Sequence, residues 1–270
     1  MKITKIADIK GGQDGAISGN YLFRLNDRGY CAVHKMDNLF EKFAEFTLDK
    51  AETIVPHSNA VQFGCEYFEQ NDEFPLLYSN IYNNYARTEN PMKGVCLVYR
   101  ILRDGEKFSS ALVQKISVGF VEDELWKSGS DIRPYGNFVI DRDKKRLYAF
   151  VMRDEDKVCR YFAFNLPVLS DGAEVVLGKE DVIEYFDCPY HYFVQGATCH
   201  KGKIYSTEGF HNDEVNAPAI RIIDLEKKEQ IFYVNIMKEG FIEEPEFIDF
   251  SEDGICYYSD AHGSLYTFES

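Results

Sequence analysis

Short apolar runs rich in aromatic residues alternate with polar turns along this chain, and a similar unit returns about every fifty residues. Each unit opens with a small or polar cluster, which leads into a short apolar run, a turn and an aromatic-rich run. The clusters begin at residues 13, 57, 135, 194 and 244. Apolar runs bounded by turn residues predict β-strands. Repeats of about 40 to 60 residues are typical of β-propellers, and the spacings here fall in that range except for the longer second unit. The sequence therefore predicts an all-β protein, a five-bladed β-propeller.

The strand-forming runs of each unit predict one blade, although the fifth unit has one run too few. The predicted strands cover 21–25, 30–35 and 42–47 in the first unit, and 61–67, 76–81, 95–102 and 111–116 in the second. They cover 138–140, 147–151, 160–165 and 174–177 in the third unit, and 197–199, 203–206, 219–224 and 230–235 in the fourth. In the fifth unit they cover 247–250, 255–259 and 264–268. The second unit also carries a polar insertion, and the segment 122–129 with Trp126 is predicted to connect it to the third. If this long second unit held two blades, the propeller would have six.

The fifth unit has three predicted strands after its cluster, one fewer than a blade needs. Residues 2–9 precede the first unit and carry Ile3, Ile6 and Ile9 in an imperfect alternation. We expect this stretch to supply the outer strand of the fifth blade, because such closure leaves no long unpaired edge there. No linker rich in Pro, Gly or Ser interrupts the chain, so residues 1–270 are predicted to form a single domain.

The charge and the cysteines narrow the expected partners and location. The chain has 45 acidic and 30 basic residues, a net charge of −15, and no concentrated basic patch, so it would repel nucleic acid. It has no apolar run of the roughly 20 residues that span a membrane and no signal-peptide pattern at its start. Its seven cysteines include no C-x-x-C pair and favour free thiols in a reducing compartment. We predict a cytoplasmic protein that binds a small molecule without a cofactor, in an oligomeric state that the sequence leaves open.

Propeller geometry predicts where that small molecule would bind. The loop entering each innermost strand opens on the same face as the loop leaving the second strand, so residues from every blade converge around the central axis at one end. Different polar residues occupy these positions in different units. Any one of them would serve as a turn cap, but capping alone would favour the same residue type each time. The variety of the whole ring favours a polar ligand pocket.

Three kinds of chemistry fit such a pocket. The first is acid–base catalysis by a carboxylate of shifted pKa with a histidine partner, and its candidates are Asp14, His57, Glu208, Glu244 and Glu246. The second is a metal held by three histidines, but no metal-ligand spacing supports it, and no metal is expected. The third is ligand binding through ion pairing, stacking and amide hydrogen bonds, and its candidates are Gln13, Asn59, Asn80, Tyr82, Tyr135, Asn137, Arg153, Gln195, His211 and His262.

One segment resembles a known enzyme family. The run Phe193-Val194-Gln195-Gly196, followed by GKIYSTEG at 202–209, resembles the F-T-Q-G motif and the G-x-L-Y-x-S-T-G hairpin of the glutamine cyclotransferases. That family forms five-bladed propellers and converts amino-terminal glutamine to pyroglutamate. The resemblance implies that Phe193 and Gln195 line the pocket and that Glu243 or Glu244 shuttles the proton.

The opening of the first unit is similar to that of the five-bladed glycosidases. Residues 14–17 (DGAI), followed by YLF at 21–23, resemble in part their D-P-S-I and Y-Y-L-F pattern, in which the aspartate is the general base, but the proline is missing. The equivalent places of the next two units hold Ser58 and Gly136 instead of carboxylates. Glu208-Gly209-Phe210 resembles their E-G-P acid motif. The resemblance implies hydrolysis by two carboxylates, with partial support.

The leading hypothesis is a propeller that binds a small polar ligand, a saccharide or a peptide end, at its axial mouth. The alternatives are a propeller enzyme of the glycoside hydrolase or glutamine cyclotransferase type, and a protein-interaction scaffold. An enzyme requires at least two titratable side chains close together at the mouth. A scaffold predicts a broad apolar surface there instead.

Overall fold

The computed structural model describes residues 1–9, 12–81, 92–120, 136–153, 158–189 and 193–269. Strands within these residues form five sheets that stand as the blades of a propeller, which confirms the predicted fold. From the axis outwards, the first blade consists of β2 (Gly15–Ser18), β3 (Tyr21–Leu25), β4 (Tyr30–Lys35) and β5 (Asn38–Thr47), and the second of β6 (Val61–Phe63), β7 (Leu77–Asn80), β8 (Val95–Asp104) and β9 (Lys107–Val118). The third consists of β10 (Asn137–Asp141), β11 (Arg146–Arg153), β12 (Val158–Asn165) and β14 (Glu184–Pro189), and the fourth of β15 (Val194–His200), β16 (Lys203–Glu208), β17 (Ala219–Asp224) and β18 (Glu229–Asn235). The fifth consists of β19 (Pro245–Phe250), β20 (Cys256–Asp260), β21 (Ser264–Glu269) and β1 (Lys2–Asp8).

Helical structure within the described ranges is short. It consists of an α-helix, α1 (Ala51–Ile54), and of 3₁₀ turns at Leu169–Asp171, Lys179–Asp181 and Ile236–Glu239. None of these segments has the length and apolar character that crossing a bilayer requires. All seven cysteines are free thiols, and six of them are buried.

The amino-terminal strand closes the ring, as the sequence predicted. β1 pairs antiparallel with β21, so that Ile3 lies opposite Phe268 and Ala7 lies opposite Leu265. The register shifts between Lys5 and Ala7, which leaves Ile6 as the extra residue of a β-bulge. The bulge explains why the isoleucines of this stretch alternate imperfectly.

One predicted strand belongs to a different blade. Residues Glu174–Leu177, predicted as the outer strand of the third blade, form β13, which pairs in parallel with β9 at the edge of the second blade. The outer strand of the third blade is β14. The apolar side chains of β13 explain this placement, because Val175 and Leu177 pack into the core between the second and third blades. The long second unit is thus one sheet, and the count of five blades stands.

Clusters of buried apolar side chains fill the spaces between neighbouring blades, one cluster at each of the five junctions. Between the first and second blades, the ring of Phe23 lies 5.2 Å from that of Phe63 and 5.8 Å from that of Phe108. Both pairs meet edge to face, which is a favoured geometry for aromatic rings. The aromatic content of the sequence therefore holds the blades to one another.

The innermost strands need polar partners at the axis. Each turns one edge toward the axis, where the described residues provide no further strand to pair with it. Gln62 of β6 accepts hydrogen bonds from the amides of Ile140 and Cys199 at 3.0 and 3.2 Å, and donates to the carbonyls of the same two residues at 3.0 and 2.9 Å. One buried side chain thereby joins the second blade to the third and fourth.

Two carboxylates act in the same way. Asp14 Oδ2 accepts hydrogen bonds from the amides of Val61 at 2.8 Å and Ala197 at 3.4 Å, and Asp249 Oδ2 accepts one from the amide of Ile17 at 2.8 Å. Burial raises the pKa of both carboxyl groups, although these hydrogen bonds oppose the shift. The axis is therefore packed with polar side chains that join blades distant in sequence.

Candidate functional site

The entries to the innermost strands and the exits of the second strands meet at one end of the axis, as propeller geometry requires. The amide of Gln13 bonds to the carbonyl of Leu25 at 2.8 Å, and the amide of Ala261 bonds to the carbonyl of Glu244 at 2.8 Å. Each of these hydrogen bonds joins a strand entry to the exit of the neighbouring strand in the same blade. We call this end the mouth.

Five polar side chains from four blades come together at the mouth, and we call them the mouth cluster: Gln13, His57, Gln195, Glu244 and Glu246. His57 Nε2 donates to Gln13 Oε1 at 2.7 Å, and Gln13 Nε2 donates to Glu246 Oε1 at 3.0 Å. Gln195 Nε2 donates to Glu244 Oε1 at 2.5 Å. Gln13 thus links the imidazole of His57 to the carboxyl group of Glu246, and the amide of Gln195 bonds to the carboxyl group of Glu244.

The two glutamates of the cluster differ in burial. Glu246 is 1% exposed, and its Oε2 is buried without a hydrogen-bond partner among the described residues. Burial raises the pKa of Glu246 well above its ordinary value, and the charges of Glu244 and Asp14 raise it further, while Arg24 opposes them. Glu244 is half-buried, and burial also raises its pKa. Glu244 is therefore the carboxyl group of this pair that both meets solvent and holds a proton more readily than usual.

A buried arginine lies behind the cluster. Arg24 is 2% exposed, donates from Nη2 to the carbonyl of Gly12 at 3.3 Å and stands over the ring of Phe247 at 5.2 Å. Its charge holds down the pKa of both Asp14 and Glu246, against the larger effect of burial. It is a counter-charge within the fold and does not face solvent.

Gln195 is held from several sides. Its Oε1 accepts from Asn59 Nδ2 at 2.9 Å, and its Nε2 also donates to the carbonyl of Gly209 at 3.2 Å. The next residue, Gly196, lies against the fifth blade, where a Cβ atom would stand 2.9 Å from the carbonyl oxygen of Glu246. A glycine is therefore required for the fourth and fifth blades to approach, and this approach brings Gln195 to Glu244.

Several other predicted residues are buried beneath the mouth. Asn80 Oδ1 accepts from the amides of Asn59 and Ala60, both at 2.8 Å, and Asn80 Nδ2 donates to Asn137 Oδ1 at 3.1 Å. Asp14, Asn59, Asn80 and Asn137 are all at most 1% exposed. Their hydrogen bonds connect blades and satisfy backbone groups, and their part in a ligand site stays a prediction.

Two predicted histidines lie at the rim with a glutamate. His211 Nδ1 lies 2.6 Å from Glu243 Oε2, and His262 Nε2 lies 3.7 Å from the same oxygen. Both imidazoles are exposed, and their ring centres are 6.4 Å apart. Within the described ranges, no three His, Cys, Asp or Glu side chains are arranged to hold a metal ion.

The structure also describes the predicted residues Glu208 and Arg153. Glu208 forms a buried ion pair with Arg221, with Oε1 at 2.8 Å from Nη2, inside the fourth blade. Arg153 is the last residue of β11, at the mouth end of the third blade. Tyr82 and Tyr135 lie outside the described residues, as does the predicted connector with Trp126.

Some of the polar residues at the axis were not predicted. Gln62 is the one polar residue of the innermost strand VQF, and Asp249 lies between apolar residues in the innermost strand PEFIDF. A polar residue facing inward in such a strand indicates a side chain that bonds across the axis, since burial without a partner is costly. This signal is present in the sequence and could have identified both.

The buried carboxyl group of Glu246 predicts a pH-dependent stability. The pKa of Glu246 is raised in the folded protein, whereas in the unfolded chain this carboxyl group has its ordinary pKa of 4.5. Above pH 4.5, the native state therefore still binds a proton that the unfolded chain has released. The contribution of Glu246 to the free energy of unfolding therefore falls as the pH rises from 4.5 to the raised pKa, by at most about 1.4 kcal/mol per pH unit. Glu246→Gln should match the wild type at pH below 4.5 and become the more stable protein as pH rises.

Urea denaturation of both proteins across this pH range measures the difference. Glu106→Gln, the same change at an exposed hairpin turn, is the matched control and should follow the wild type at every pH. A Glu246→Gln variant that remained less stable than the wild type throughout would show that the carboxylate form is favoured in the fold, contrary to this expectation.

Comparison with known proteins supports the fold. No protein-family model and no curated protein sequence matches this chain. Among solved structures, it is similar to the crystal structure of Myxococcus xanthus glutaminyl cyclase, with a TM-score of 0.55 and 9% sequence identity over 99% of this chain and 93% of the other. It also matches the Dos1 propeller, with a TM-score of 0.38 and 11% identity over 95% of this chain and 59% of that one. At such identities, the similarity to the glutaminyl cyclase shows a shared propeller fold.

Proposed function

We propose that the protein binds the amino end of a peptide, or another small amine, at its mouth. The observation that carries this proposal is the mouth cluster, in which half-buried Glu244 is hydrogen-bonded to Gln195 and stands near buried Glu246. Groups from four blades are thereby held in fixed positions at one opening. Pre-positioned polar groups in a concave site are typical of small-molecule recognition.

The charges around the mouth favour an amine over an anion. Glu243, Glu244 and Glu246 all belong to the loop and strand entry of the fifth blade, and the nearby Arg24 is buried. An ammonium group at Glu244 would form a charge-assisted hydrogen bond, which is stronger than a neutral one. The oxygen of Gln13 and the rim carboxylate of Glu243 would offer further acceptors.

An apolar surface beside the cluster supports a peptide as the carrier of that amine. Phe193 stacks near Phe210, with ring centres 4.2 Å apart, and immediately precedes β15. Its backbone has a φ of 55°, a left-handed conformation that is uncommon outside glycine and often found at functional sites. A side chain next to the bound amine could pack against these rings.

Binding can be tested with a matched set of probes. We expect a short peptide with a free amino end to bind in isothermal titration, and its N-acetylated form to bind at least about tenfold more weakly because it lacks the charge. Glu244→Gln should weaken binding of the free peptide by a similar factor and leave the acetylated one unchanged. Equal affinity of both peptides, or a preference for neutral disaccharides, would contradict an amine site.

The exposed Glu106→Gln variant controls for the lost negative charge in this experiment. It changes the net charge of the protein by the same amount as Glu244→Gln, but at the turn between β8 and β9. Its affinity should equal that of the wild type. A matching loss of affinity in both variants would show a general electrostatic effect instead of a contact with Glu244.

A second candidate is a cyclising enzyme that acts on amino-terminal glutamine. The raised pKa of Glu244, its hydrogen bond to Gln195 and the resemblance of the FVQG segment to glutamine cyclotransferases favour it. The α-amino nitrogen would attack the side-chain amide carbon, forming a C–N bond as the C–N bond to ammonia breaks. Glu244 would take the proton from the attacking amine and pass it to the departing ammonia.

Ammonia release from a glutaminyl peptide distinguishes an enzyme from a binding protein. The wild type should release ammonia and yield the cyclised peptide, while Glu244→Gln should reduce the rate by about 100-fold or more. Binding without ammonia release would exclude this enzyme and retain the amine site. The odd number of cysteines, together with free thiols, supports a cytoplasmic setting for either function.

A further inference from the structure

A second cavity opens at the end of the axis opposite the mouth. The innermost strands end here, and residues from all five blades surround a space of about 420 Å³. This volume is in the range of small-molecule sites. We call it the distal cup.

The polar packing of the axis separates the distal cup from the mouth. Asp249 Oδ1 accepts a hydrogen bond from Thr198 Oγ1 at 2.8 Å, and its Oδ2 accepts one from the amide of Ile17. The four hydrogen bonds of Gln62 cross the axis in the same layer of innermost strands. The cup is therefore a site of its own.

The cup is lined by charges of both signs that do not pair with each other. Arg142 and Lys201 are its cations, and Asp143 and Glu252 are the partly or fully exposed carboxylates beside them. None of these four side chains forms a hydrogen bond or an ion pair with any residue that the structure describes. Opposite charges that share one cavity without meeting are free to contact a ligand that bears both.

Two buried carboxyl groups lie close to these four side chains: Asp249, whose pKa the charge of Arg142 helps to hold down against the effect of burial, and Asp141, whose Oδ2 is buried without a hydrogen-bond partner among the described residues. Asp141 is buried, and its Oδ1 accepts from the amides of Asp143 and Lys144 at 3.1 and 3.2 Å, so it shapes the turn that carries Arg142. Burial, together with the charges of Lys201 and Arg142, lowers the pKa of His200, which leaves this imidazole neutral near pH 7.

An aromatic wall completes the cup. His200 stacks on Phe250 with ring centres 4.0 Å apart and planes within 4°. Tyr67, which is 47% exposed, and Pro75 line the same cavity. The cup thus offers two cations, two exposed carboxylates, the buried carboxyl group of Asp141 and an apolar surface within one small volume.

We propose that the distal cup binds a small zwitterion of the amino-acid class with an apolar side chain. Arg142 and Lys201 would hold its carboxylate, Asp143 and Glu252 its ammonium group, and the aromatic wall its side chain. A guanidinium and an ammonium group suit a carboxylate, since the fork of arginine matches its two oxygens. This site is independent of the amine site proposed at the mouth.

Three related probes test the proposal by ligand-observed NMR titration. L-Phenylalanine carries both charges, 3-phenylpropionate carries only the negative one, and phenethylamine only the positive one. We expect L-phenylalanine to bind saturably and each singly charged probe to bind at least about tenfold more weakly. The double variants Arg142→Gln/Lys201→Gln and Asp143→Asn/Glu252→Gln should each weaken L-phenylalanine by about tenfold or more.

Control variants separate the cup from the mouth and from the net charge. Arg28→Gln/Lys107→Gln removes two exposed basic side chains at other hairpin turns and should bind L-phenylalanine like the wild type. All of these titrations are made in a Glu244→Gln background, which serves as the reference protein, so that an amine bound at the mouth does not contribute to the binding measured at the cup. In this background, the proposal would be overturned if L-phenylalanine failed to bind saturably at millimolar concentrations, or if the cup variants bound it as well as the protein with an unaltered cup does.

Discussion

Replacing Gln62 with leucine should destabilise the protein by about 3 to 5 kcal/mol, the largest loss that we expect from a single substitution at the axis. Leucine fills a similar volume but offers no polar atom. The amides and carbonyls of Ile140 and Cys199 would each lose a hydrogen bond from Gln62. A buried backbone group without a partner costs about 1 to 3 kcal/mol, and some relaxation of the strands reduces the sum.

Gln114→Leu is the matched control for this effect. Gln114 is also buried and also bonds to backbone carbonyls, those of Val168 and Gly172, but it makes two such hydrogen bonds at the outer part of a blade. Urea denaturation should show a smaller loss for Gln114→Leu than for Gln62→Leu. A loss at position 62 no greater than that at position 114 would show that the hydrogen bonds across the axis add little to stability.

The fold could be predicted because its signals are local and repeated. A strand run, a turn and an aromatic run recur five times, and each recurrence adds weight to the same architecture. The closing strand was predictable for a different reason, because a fifth blade of three strands leaves an edge that residues 2–8 can cover. The pairing of β13 with the second blade was not predictable, because a short apolar strand pairs equally well with either neighbouring blade. Packing into the core between those two blades decides which one it joins.

The candidate site was predictable in position but not in detail. The sequence places Gln13, His57 and Glu246 at strand entries, and the structure brings them into one chain of hydrogen bonds. The sequence does not reveal how deeply each side chain is buried. Burial decides whether a polar residue contacts solvent or bonds to a neighbouring blade. Asn59 and Asn80 have the same kind of position in the sequence as Gln13, yet both are fully buried.

The opposite end of the axis shows a related limit. His200 ends an innermost strand next to a hairpin turn, and this position in the sequence does not reveal that the turns of neighbouring blades converge there too. The charged residues of the distal cup are ordinary turn residues in the sequence, such as those in the run DRDKK at 141–145. Their convergence around one cavity, a property of the folded chain, distinguishes them from other turn charges.

Glu208→Leu should destabilise the protein by about 3 to 5 kcal/mol, because it removes one partner of a buried ion pair. Arg221 Nε and Nη2 donate to the two carboxylate oxygens of Glu208 at 3.3 and 2.8 Å, and both side chains are 7% exposed. Arg221 also bonds to Gln230 and stands over the ring of Tyr233 at 4.7 Å. Without Glu208, the buried guanidinium would lose the carboxylate that its Nε and Nη2 both contact, which the fold tolerates poorly.

The double variant Glu208→Leu/Arg221→Met separates the cost of an unpaired charge from the net value of the pair. A buried ion pair replaced by apolar side chains of similar volume is often neutral for stability, so this variant should recover most of the loss in urea denaturation.

The same double variant also tests the predicted catalytic role of Glu208. If Glu208 acts within the fourth blade alone, the stable double variant should bind the peptide amine at the mouth with wild-type affinity and release ammonia, if the protein does so, at the wild-type rate. A double variant that is stable but has lost either property would place Glu208 in the functional site, as the sequence predicted.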